Sequence, residues 1–424
     1  MGIVTLAAIA LFILAFGLIS GRIQKSVITP PMVFVLFGLL VSNRVLGVID
    51  LTAENEIIRT VAELTLILVL FTDASRINIR NLRREHNIPV RLLSLGLPLC
   101  IIFGTLLAGI VFDYLSFLEG AILATILAPT DAALGQAVVS SPKVPVRIRQ
   151  ALNVESGLND GIALPILLFF ISLAGAAEQT ETSGFWIRFA AMQLVLGPVV
   201  GIAVGFFGGK LVERAGRTEW MSRTFQDLAA LGLSFLAYAL AELVNGNGFI
   251  SAFCAGLTLG NTSRAVCTCL YEFAEAEGQL LTLLTFMVFG AVMVLPALDQ
   301  FNWLIMVYGI LSLTVVRIVP VAISLIGVRL EKGTHLFLGW FGPRGIASIL
   351  YGLLVLDKVS FSGSTEIFTI VIITVLISVF VHGLTAFPAT NWYAARMEKM
   401  KDEPDMEEHV QVTELPVRLP FKKG

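Results

Sequence analysis

Residues 152–170 read LNVESGLNDGIALPILLFF and place Glu155, Asn159 and Asp160 in an otherwise apolar run. On a helix Ser156 and Asp160 share one face, because residues four apart are neighbours on the helix surface. A carboxylate with a hydroxyl one turn away supplies hard oxygen ligands, which suit an alkali cation better than a transition metal. A low-dielectric environment disfavours an ionised carboxylate, so a proton and Na+ can compete for Asp160 near neutral pH.

Further ionisable side chains lie deep in apolar segments, where each costs at least a few kcal/mol. The additional acids are Glu63 and Asp131, the bases are Arg317 and Arg344, and Thr130 adds oxygen ligands beside Asp131. Two guanidiniums can neutralise two carboxylates through bidentate contacts. The remaining acids require a mobile cation or protons. An ion site that binds either of these, opened to each side of a membrane in turn, is sufficient for an exchanger.

The roles of the neighbouring residues follow from their chemistry. We expect Glu155 to be a structural partner of Arg344, with Glu63 supporting the same arginine. We expect Arg317 to pack or to neutralise a helix end rather than to bind the ion. Asn159 is expected to give hydrogen-bonding support, because an amide does not titrate.

The composition describes the environment of these charges. The 424 residues are 56% hydrophobic and 14% charged, with a mean hydropathy of +0.85. Soluble proteins have about 25% charged residues, so the chain is predicted to be an all-α polytopic membrane protein. The net charge of -2 gives no indication of nucleic-acid binding. The four cysteines form no paired cysteine and histidine cluster, and no cofactor is expected.

Apolar stretches of suitable length predict thirteen membrane-spanning helices, near 3–20, 28–43, 57–74, 88–112, 116–139, 148–174, 184–209, 224–244, 247–262, 273–296, 301–328, 334–356 and 364–390. Every second loop is rich in Lys and Arg, which places the amino terminus outside and the carboxyl terminus in the cytoplasm. The polar residues 391–424 are predicted to be a short, partly disordered cytoplasmic tail of the transmembrane domain 1–390.

Two pairs of segments resemble each other at nearly one offset. FGLLVSN at 37–43 matches AGLTLGN at 255–261, and APTDAA at 128–133 resembles GPRGIA at 342–347. Spans one to six would then recur upside down as spans eight to thirteen, and inverted six-helix repeats are typical of transporters. Chance similarity between apolar helices is the alternative explanation.

Pro129 and Pro343 lie in the middle of spans five and twelve. Proline removes a backbone hydrogen bond, and freed backbone groups survive at membrane depth only beside protein or a polar cavity. Both spans are therefore predicted to be broken near the bilayer centre. Asp131 would neutralise a positive helix amino terminus there, and Arg344 a negative carboxyl terminus.

The motifs LAPTDAAL, NVESGLND, GPRGIAS and VFVHGLT resemble those of the sodium/proton antiporters of the NhaP and NHE type, the electroneutral monovalent cation/proton antiporters. The resemblance covers residues 1–390. It implies an NhaA-like antiporter fold in which broken helices five and twelve cross. It also implies a homodimer, with a dimerisation subdomain of spans 1–3 and 7–10 and a mobile core subdomain of spans 4–6 and 11–13 that moves as an elevator.

The resemblance further implies a set of cation ligands: Asp160, Asp131, Ser156 and the main-chain oxygen of Thr130, with Glu155 nearby. Arg344 would hold Glu155, together with Glu63. The Asn159-Asp160 pair replaces the Asp-Asp pair of electrogenic relatives, which implies one proton exchanged per cation.

Two departures from the family pattern leave the ion open. Ala132 stands where the family often has proline, and Gly157 where many members carry Leu or Pro. The expected function is exchange of Na+, or of Li+ or K+, for H+ across the cell membrane in pH and sodium homeostasis. A K+/H+ antiporter, a sodium-coupled symporter and a channel are the alternatives. An enzyme is not expected, because no His/Asp/Ser constellation lies at membrane depth.

Overall fold

A computed structural model of the protein describes residues 3–23, 26–49, 55–77, 79, 87–178, 183–263, 278–358, 363–400 and 406–410. Within these ranges the regular secondary structure is helical, and an isolated bridge joins Ser42 to Ile49. The predicted all-α class is confirmed.

The helices of the first half of the chain are α1 (Ile3–Ile23), α2 (Pro30–Val41), α3 (Glu56–Ser75), α4 (Asn87–Val111), α5 (Phe117–Ile126), α6 (Ala132–Val139), α7 (Val146–Glu178) and α8 (183–217). Those of the second half are α9 (Arg223–Leu243), α10 (Gly248–Thr262), α11 (Gly278–Asp299), α12 (Trp303–Leu313), α13 (Val315–Ser324), α14 (Lys332–Trp340), α15 (Ile346–Lys358) and α16 (Ser364–Lys399). A π-helical turn interrupts α4, α8 and α11.

Seven helical stretches in the described ranges, one of which comprises both α12 and α13, are long and apolar enough to cross a membrane by length and composition. Each predicted span overlaps one of the helices above or, at 116–139, 301–328 and 334–356, two consecutive helices. The shorter helices include α2 and the two halves of the broken spans. The number of thirteen crossings stays a prediction, because helix length alone does not place the bilayer.

The last helix differs from the sequence prediction at its end. α16 continues to Lys399, so the predicted tail boundary at 391 falls inside a helix. Tyr393 and Met397 are buried on that helix, and their spacing continues its inward-facing stripe. A short 3-10 turn follows at Glu407–His409. Part of the predicted tail is therefore ordered.

Glycines bring α10 into close contact with its neighbours. A Cβ at Gly256 or Gly260 would overlap a backbone carbonyl of α3, and a Cβ at Gly201 or Gly205 would overlap a backbone carbonyl of α10. Small residues at such spacing let the backbones of membrane helices approach closely and pack by van der Waals contact. α10 is thus held tightly between α3 and α8.

A second glycine contact joins α2 to α11. A Cβ at Gly38 would overlap the Met287 carbonyl, and a Cβ at Gly290 would overlap the Val35 carbonyl. Gly38 and Gly256 are matched in the predicted repeat, which also makes α11 the counterpart of α3. In the predicted repeat α2 corresponds to α10 and α3 to α11. The contact of Gly38 with α11 is therefore the counterpart of the contact of Gly256 with α3. This packing supports the inverted repeat, which stays a prediction.

Candidate ion-binding site

Two interrupted helices meet inside the protein. The stretch 127–131 separates α5 from α6, and 341–345 separates α14 from α15. The Asp131 amide donates a 2.7 Å hydrogen bond to the Pro343 carbonyl, which joins the two unwound segments. The predicted interruptions at Pro129 and Pro343 are confirmed, and the bond shows that they lie against each other.

Asp131 caps two half-helices with one carboxylate. Oδ1 accepts hydrogen bonds from the amides of Ala133 (2.7 Å) and Leu134 (3.3 Å) at the start of α6. Oδ2 accepts from the Ile346 amide (2.7 Å) at the start of α15. Gly345 permits this approach, because a Cβ there would overlap Oδ2. The prediction that Asp131 neutralises a helix amino terminus is confirmed.

Arg344 serves the opposite end of the broken helix. Its buried guanidinium donates to the carbonyls of Ala128 and Pro129, just beyond the carboxyl end of α5, the second bond being 3.0 Å. Its backbone amide donates to Ser378 Oγ at 2.7 Å, which ties the unwound segment to α16. The prediction that Arg344 neutralises a helix carboxyl terminus is confirmed.

The predicted partner of Glu155 is wrong. Glu155 accepts two hydrogen bonds from Arg317 on α13, at 2.5 and 2.8 Å, and both side chains are buried. Arg344 is occupied by backbone carbonyls instead. Gly342 leaves room for the Arg317 guanidinium, since a Cβ there would overlap Nε. Arg317 is therefore an ion-pair partner and not a packing or helix-end residue.

The predicted role of Glu63 is also wrong. This side chain is exposed on α3 and accepts a hydrogen bond from the Tyr238 hydroxyl of α9. The error arose because position within an apolar span gives the depth of a residue but not the direction in which the helix turns it. Glu63 points to α9 and does not support Arg344.

α7 brings its polar residues to the crossing. The Asn159 amide donates to Thr130 Oγ1 at 2.7 Å, and the Tyr351 hydroxyl donates to the main-chain oxygen of Asp160 at 2.8 Å. Asn159 and Asp160 are buried, as is Ser156, whose hydroxyl donates to the Asn153 carbonyl at 3.2 Å. The predicted hydrogen-bonding role of Asn159 is confirmed. The arrangement holds Asn159 against Thr130 of the unwound segment and the main chain of Asp160 against Tyr351 of α15.

Residues 7–392 match the family described as sodium/hydrogen exchanger, transmembrane. This chain belongs to the sodium/hydrogen exchanger family. This exchanger is thus a multi-pass integral membrane protein.

Relatives of this exchanger carry names for two ions. It is 24% identical over 408 residues to the K(+)/H(+) antiporter NhaP of Alkalimonas amylolytica, an alignment that covers 94% of this chain and 67% of that protein. It is 24% identical over 315 residues to a Na(+)/H(+) antiporter of Schizosaccharomyces pombe, with 66% of each chain covered. A K(+)/H(+) antiporter NhaP2 of Shewanella sp. strain MR-4 is 23% identical, with 81% of this chain and 58% of that protein covered. The chain thus spans about two thirds or less of these relatives.

A solved structure confirms the fold of the exchanger. The sodium proton antiporter MjNhaP1 of Methanocaldococcus jannaschii, solved at pH 8, superposes with a TM-score of 0.72 at 20% sequence identity. The match covers 89% of this chain and 98% of that chain. The predicted antiporter fold is confirmed by this match to an NhaP structure, while the thirteen helices and the inverted repeat stay predictions.

Sequence reasoning missed three residues that complete the exchanger's crossing. Ser348 Oγ donates to the Ile126 carbonyl at 2.8 Å, Tyr351 contacts Asp160, and Ser378 receives the Arg344 amide. Ser348 and Tyr351 follow Arg344 at steps of four and three residues. That spacing places them on one helical face with Arg344. The helical periodicity of the sequence could therefore have identified Ser348 and Tyr351.

Proposed function

We propose that this exchanger moves one Na+ in one direction for one H+ in the other, by secondary active antiport. The observation that carries the proposal is the position of Asp160. This buried carboxyl group follows Asn159, which hydrogen-bonds Thr130 in the unwound segment, and its main chain is held by Tyr351. A titratable carboxyl group next to residues that contact both broken helices supports the proposal, because transporter ion sites form at interrupted helices.

Two further acids near the crossing, Glu155 and Asp131, have fixed partners. Glu155 is neutralised by Arg317, and Asp131 by the amino termini of α6 and α15. We assign them structural and electrostatic roles at the site rather than the exchange of protons. The cation's ligands would be Asp160, Ser156 and the main-chain oxygen of Thr130. Asp131 directly follows Thr130, so its negative charge would also attract the cation.

The proposed cycle needs no other titrating group. When Asp160 carries a proton, the site is neutral and binds no cation. When Asp160 is ionised, a cation neutralises it, so the loaded site has the same net charge in both states. One carboxyl group therefore exchanges one proton per monovalent cation, which makes the cycle electroneutral.

We also propose the elevator movement and homodimer of the family. The tight glycine contacts among α3, α8 and α10, and between α2 and α11, join helices of the predicted dimerisation subdomain. The crossing and its arginines belong to the predicted core subdomain. A tightly packed scaffold beside the ion-carrying helices suits a movement of the core that opens the site to each side in turn. We propose that this exchange serves pH and sodium homeostasis.

The second candidate is K+/H+ exchange at the same site. Relatives that match most of this chain are named K(+)/H(+) antiporters. Oxygen ligands bind either ion, so the size of the ligand cage decides between them.

The purified protein in liposomes that contain a pH-sensitive dye tests the proposal. When the liposome interior is more acidic than the outside, external Na+ should cause proton efflux that choline does not cause. The rates of efflux with external Li+ and K+ then rank the three cations as substrates. Clamping the membrane potential at different values should leave the rate unchanged. Asp160→Asn should abolish the flux, while the control Asp113→Asn, at an exposed loop residue, should retain it. Absence of flux with every cation would refute antiport, and full flux in Asp160→Asn would refute the site.

A further inference from the structure

The carboxyl-terminal segment, residues 406–410, lies against the beginnings of two helices. Glu407 Oε2 forms a 2.5 Å ion pair with Arg147 in the first turn of α7. Glu408 Oε1 accepts hydrogen bonds from the Glu331 amide (2.9 Å) and the Thr334 hydroxyl (2.6 Å) at the start of α14. Neighbouring glutamates of one segment thus connect α7 with α14, at the ends that the charge pattern places in the cytoplasm.

These contacts are embedded rather than superficial. Glu408 is 4% exposed, and the side chains of Arg147 and Glu407 are 13% and 27% exposed. Charge-assisted hydrogen bonds at such depth are stronger than exposed ion pairs, whose contribution is commonly negligible. The Glu407 amide also donates to the Arg329 carbonyl at 3.2 Å, which fixes the backbone of the segment.

The hydrogen bonding of the Glu408 carboxylate indicates that this residue does more than fill space in the protein interior. Its second oxygen, Oε2, is buried and has no hydrogen-bond partner among the described residues. A buried polar atom without a partner is costly, so a hydrophobic residue would give better packing at this position. The carboxylate is useful for what Oε1 does: it accepts from a backbone amide and a hydroxyl at the amino end of α14, where a negative charge is favourable.

Neighbouring residues hold in place Glu331 and Thr334, the two residues of α14 and its amino end that contact Glu408. Glu331 accepts from Arg396 of α16 at 2.6 Å and from the Gly333 amide, so its own charge is neutralised. Tyr393 of α16 lies 2.9 Å from Thr334 Oγ1. The carboxyl-terminal segment therefore docks on a prearranged group formed by α14 and α16.

Both helices that the segment connects lead to the ion site. Asp160 lies on α7 roughly 20 Å from Arg147, at about 1.5 Å per residue. α14 ends at Trp340, where the unwound segment with Arg344 begins. A shift of either helix along its axis would displace its part of the crossing, because a helix transmits an axial movement along its length.

We propose that Glu407 and Glu408 are positioning residues for the exchange reaction: they fix the relative position of α7 and α14, and so the distance between Asp160 and the unwound segments. The inference rests on the proposed antiport. Loosening this connection enlarges or distorts the ligand cage. It therefore raises the cation concentration needed for half-maximal exchange more than it lowers the maximal rate, since ion ligands must be held within about 0.5 Å of their productive geometry.

Charge reversal tests the connection to α7. Arg147→Glu and Glu407→Arg should each raise the apparent KM for the cation about fivefold, the upper range for an ion pair near a surface. The combined variant, which restores the pair in reverse, should return to within about twofold of the wild-type KM. Glu398→Arg, an exposed site near the end of α16, is the matched control and should leave KM unchanged.

Glu408 tests the connection to α14. Glu408→Ala should raise KM by at least as much as Glu407→Arg, and Glu408→Gln, which keeps an acceptor oxygen, should lie between Glu408→Ala and wild type. Where Arg147→Glu fails to fold, Glu407→Gln and Glu408→Gln supply the same comparison, with folding checked by size-exclusion chromatography. An active wild type whose folded variants keep the wild-type KM, or a charge swap that restores nothing, would overturn this inference alone. A wild type without cation-dependent proton flux would instead overturn the proposed antiport.

Discussion

Arg317 directs Nη1 and Nη2 at the two carboxylate oxygens of Glu155, at 2.5 and 2.8 Å. The two side chains are 2% and 3% exposed. Arg344 lies in the same interior but donates to the carbonyls of Ala128 and Pro129. The two buried arginines therefore have different roles. Arg317 neutralises a side chain of α7, and Arg344 neutralises the carboxyl end of α5.

The Glu155 and Arg317 pair predicts a non-additive pattern of stabilities. Glu155→Leu and Arg317→Met should each destabilise the protein by roughly 3–5 kcal/mol, because each leaves one buried charge unpaired. The combined variant should recover much of that loss, since no isolated charge remains. Thermal unfolding of the detergent-solubilised variants, followed by intrinsic fluorescence, measures the difference.

The exposed pair of Arg44 and Asp299 supplies the control. Its side chains are 53% and 58% exposed, so Arg44→Met should change stability by no more than about 1 kcal/mol. If the combined Glu155 and Arg317 variant is as unstable as the two single losses added together, the two residues do not form a pair.

Asp131 is predicted to hold α6 and α15 at the same time. Asp131→Ala should cost about 1 kcal/mol for each helix that loses its cap. In the wild type the amides of Ala133, Leu134 and Ile346 donate to the carboxylate. In the variant, hydrogen–deuterium exchange should become faster in the peptides that contain these amides. Faster exchange at α6 alone would show that the second cap is absent.

Gly345→Ala tests the same carboxylate from the other side. The added methyl would overlap Oδ2, Cγ and Cβ of Asp131, so it should displace the whole side chain and speed exchange at Ile346 and at the start of α6. Gly109 of α4 has open space around its Cβ position. Gly109→Ala should therefore have no such effect, and equal effects from the two glycine variants would argue against the contact.

The residue after Asp160 is predicted to require the absence of a side chain. A Cβ at Gly161 would overlap the ring of Phe253, which projects from α10. Gly161→Ala should therefore displace α7 beside Asp160 and lower exchange by at least tenfold. Combining it with Phe253→Ala should restore part of the activity by removing the obstructing ring. Loss of activity that the second substitution does not relieve would show that Gly161 matters for another reason.

The sequence predicted the broken helices well because proline and charge act locally. Each of Pro129 and Pro343 removes a backbone hydrogen bond in the middle of a predicted span, and Asp131 and Arg344 lie beside the helix ends that they neutralise. The partners of Glu155 and Glu63 depended instead on how α3, α7 and α13 are rotated against one another. An apolar helix carries little amphipathic pattern from which to read that rotation, so residue types alone left the pairs undetermined.

The ordered part of the carboxyl end was not foreseen from the sequence for a similar reason. The polar composition of residues 391–424 favours disorder when it is considered by itself. Glu407 and Glu408 are ordered by Arg147 and by the amino end of α14, which lie far away in the chain. Long-range contacts of charged residues leave no periodic signal, whereas the buried positions Tyr393 and Met397 extend a helical stripe that could have been recognised.

The cation and the proton are proposed to compete for Asp160. Isothermal titration calorimetry of Na+ binding, repeated in buffers of different ionisation enthalpy, counts the protons released for each cation bound. Wild-type protein should release about one proton per cation at a pH where Asp160 is protonated before binding. Asp160→Asn should bind no cation and release none. Release of the same number of protons by Asp160→Asn, or cation binding by the wild type without proton release, would contradict the account.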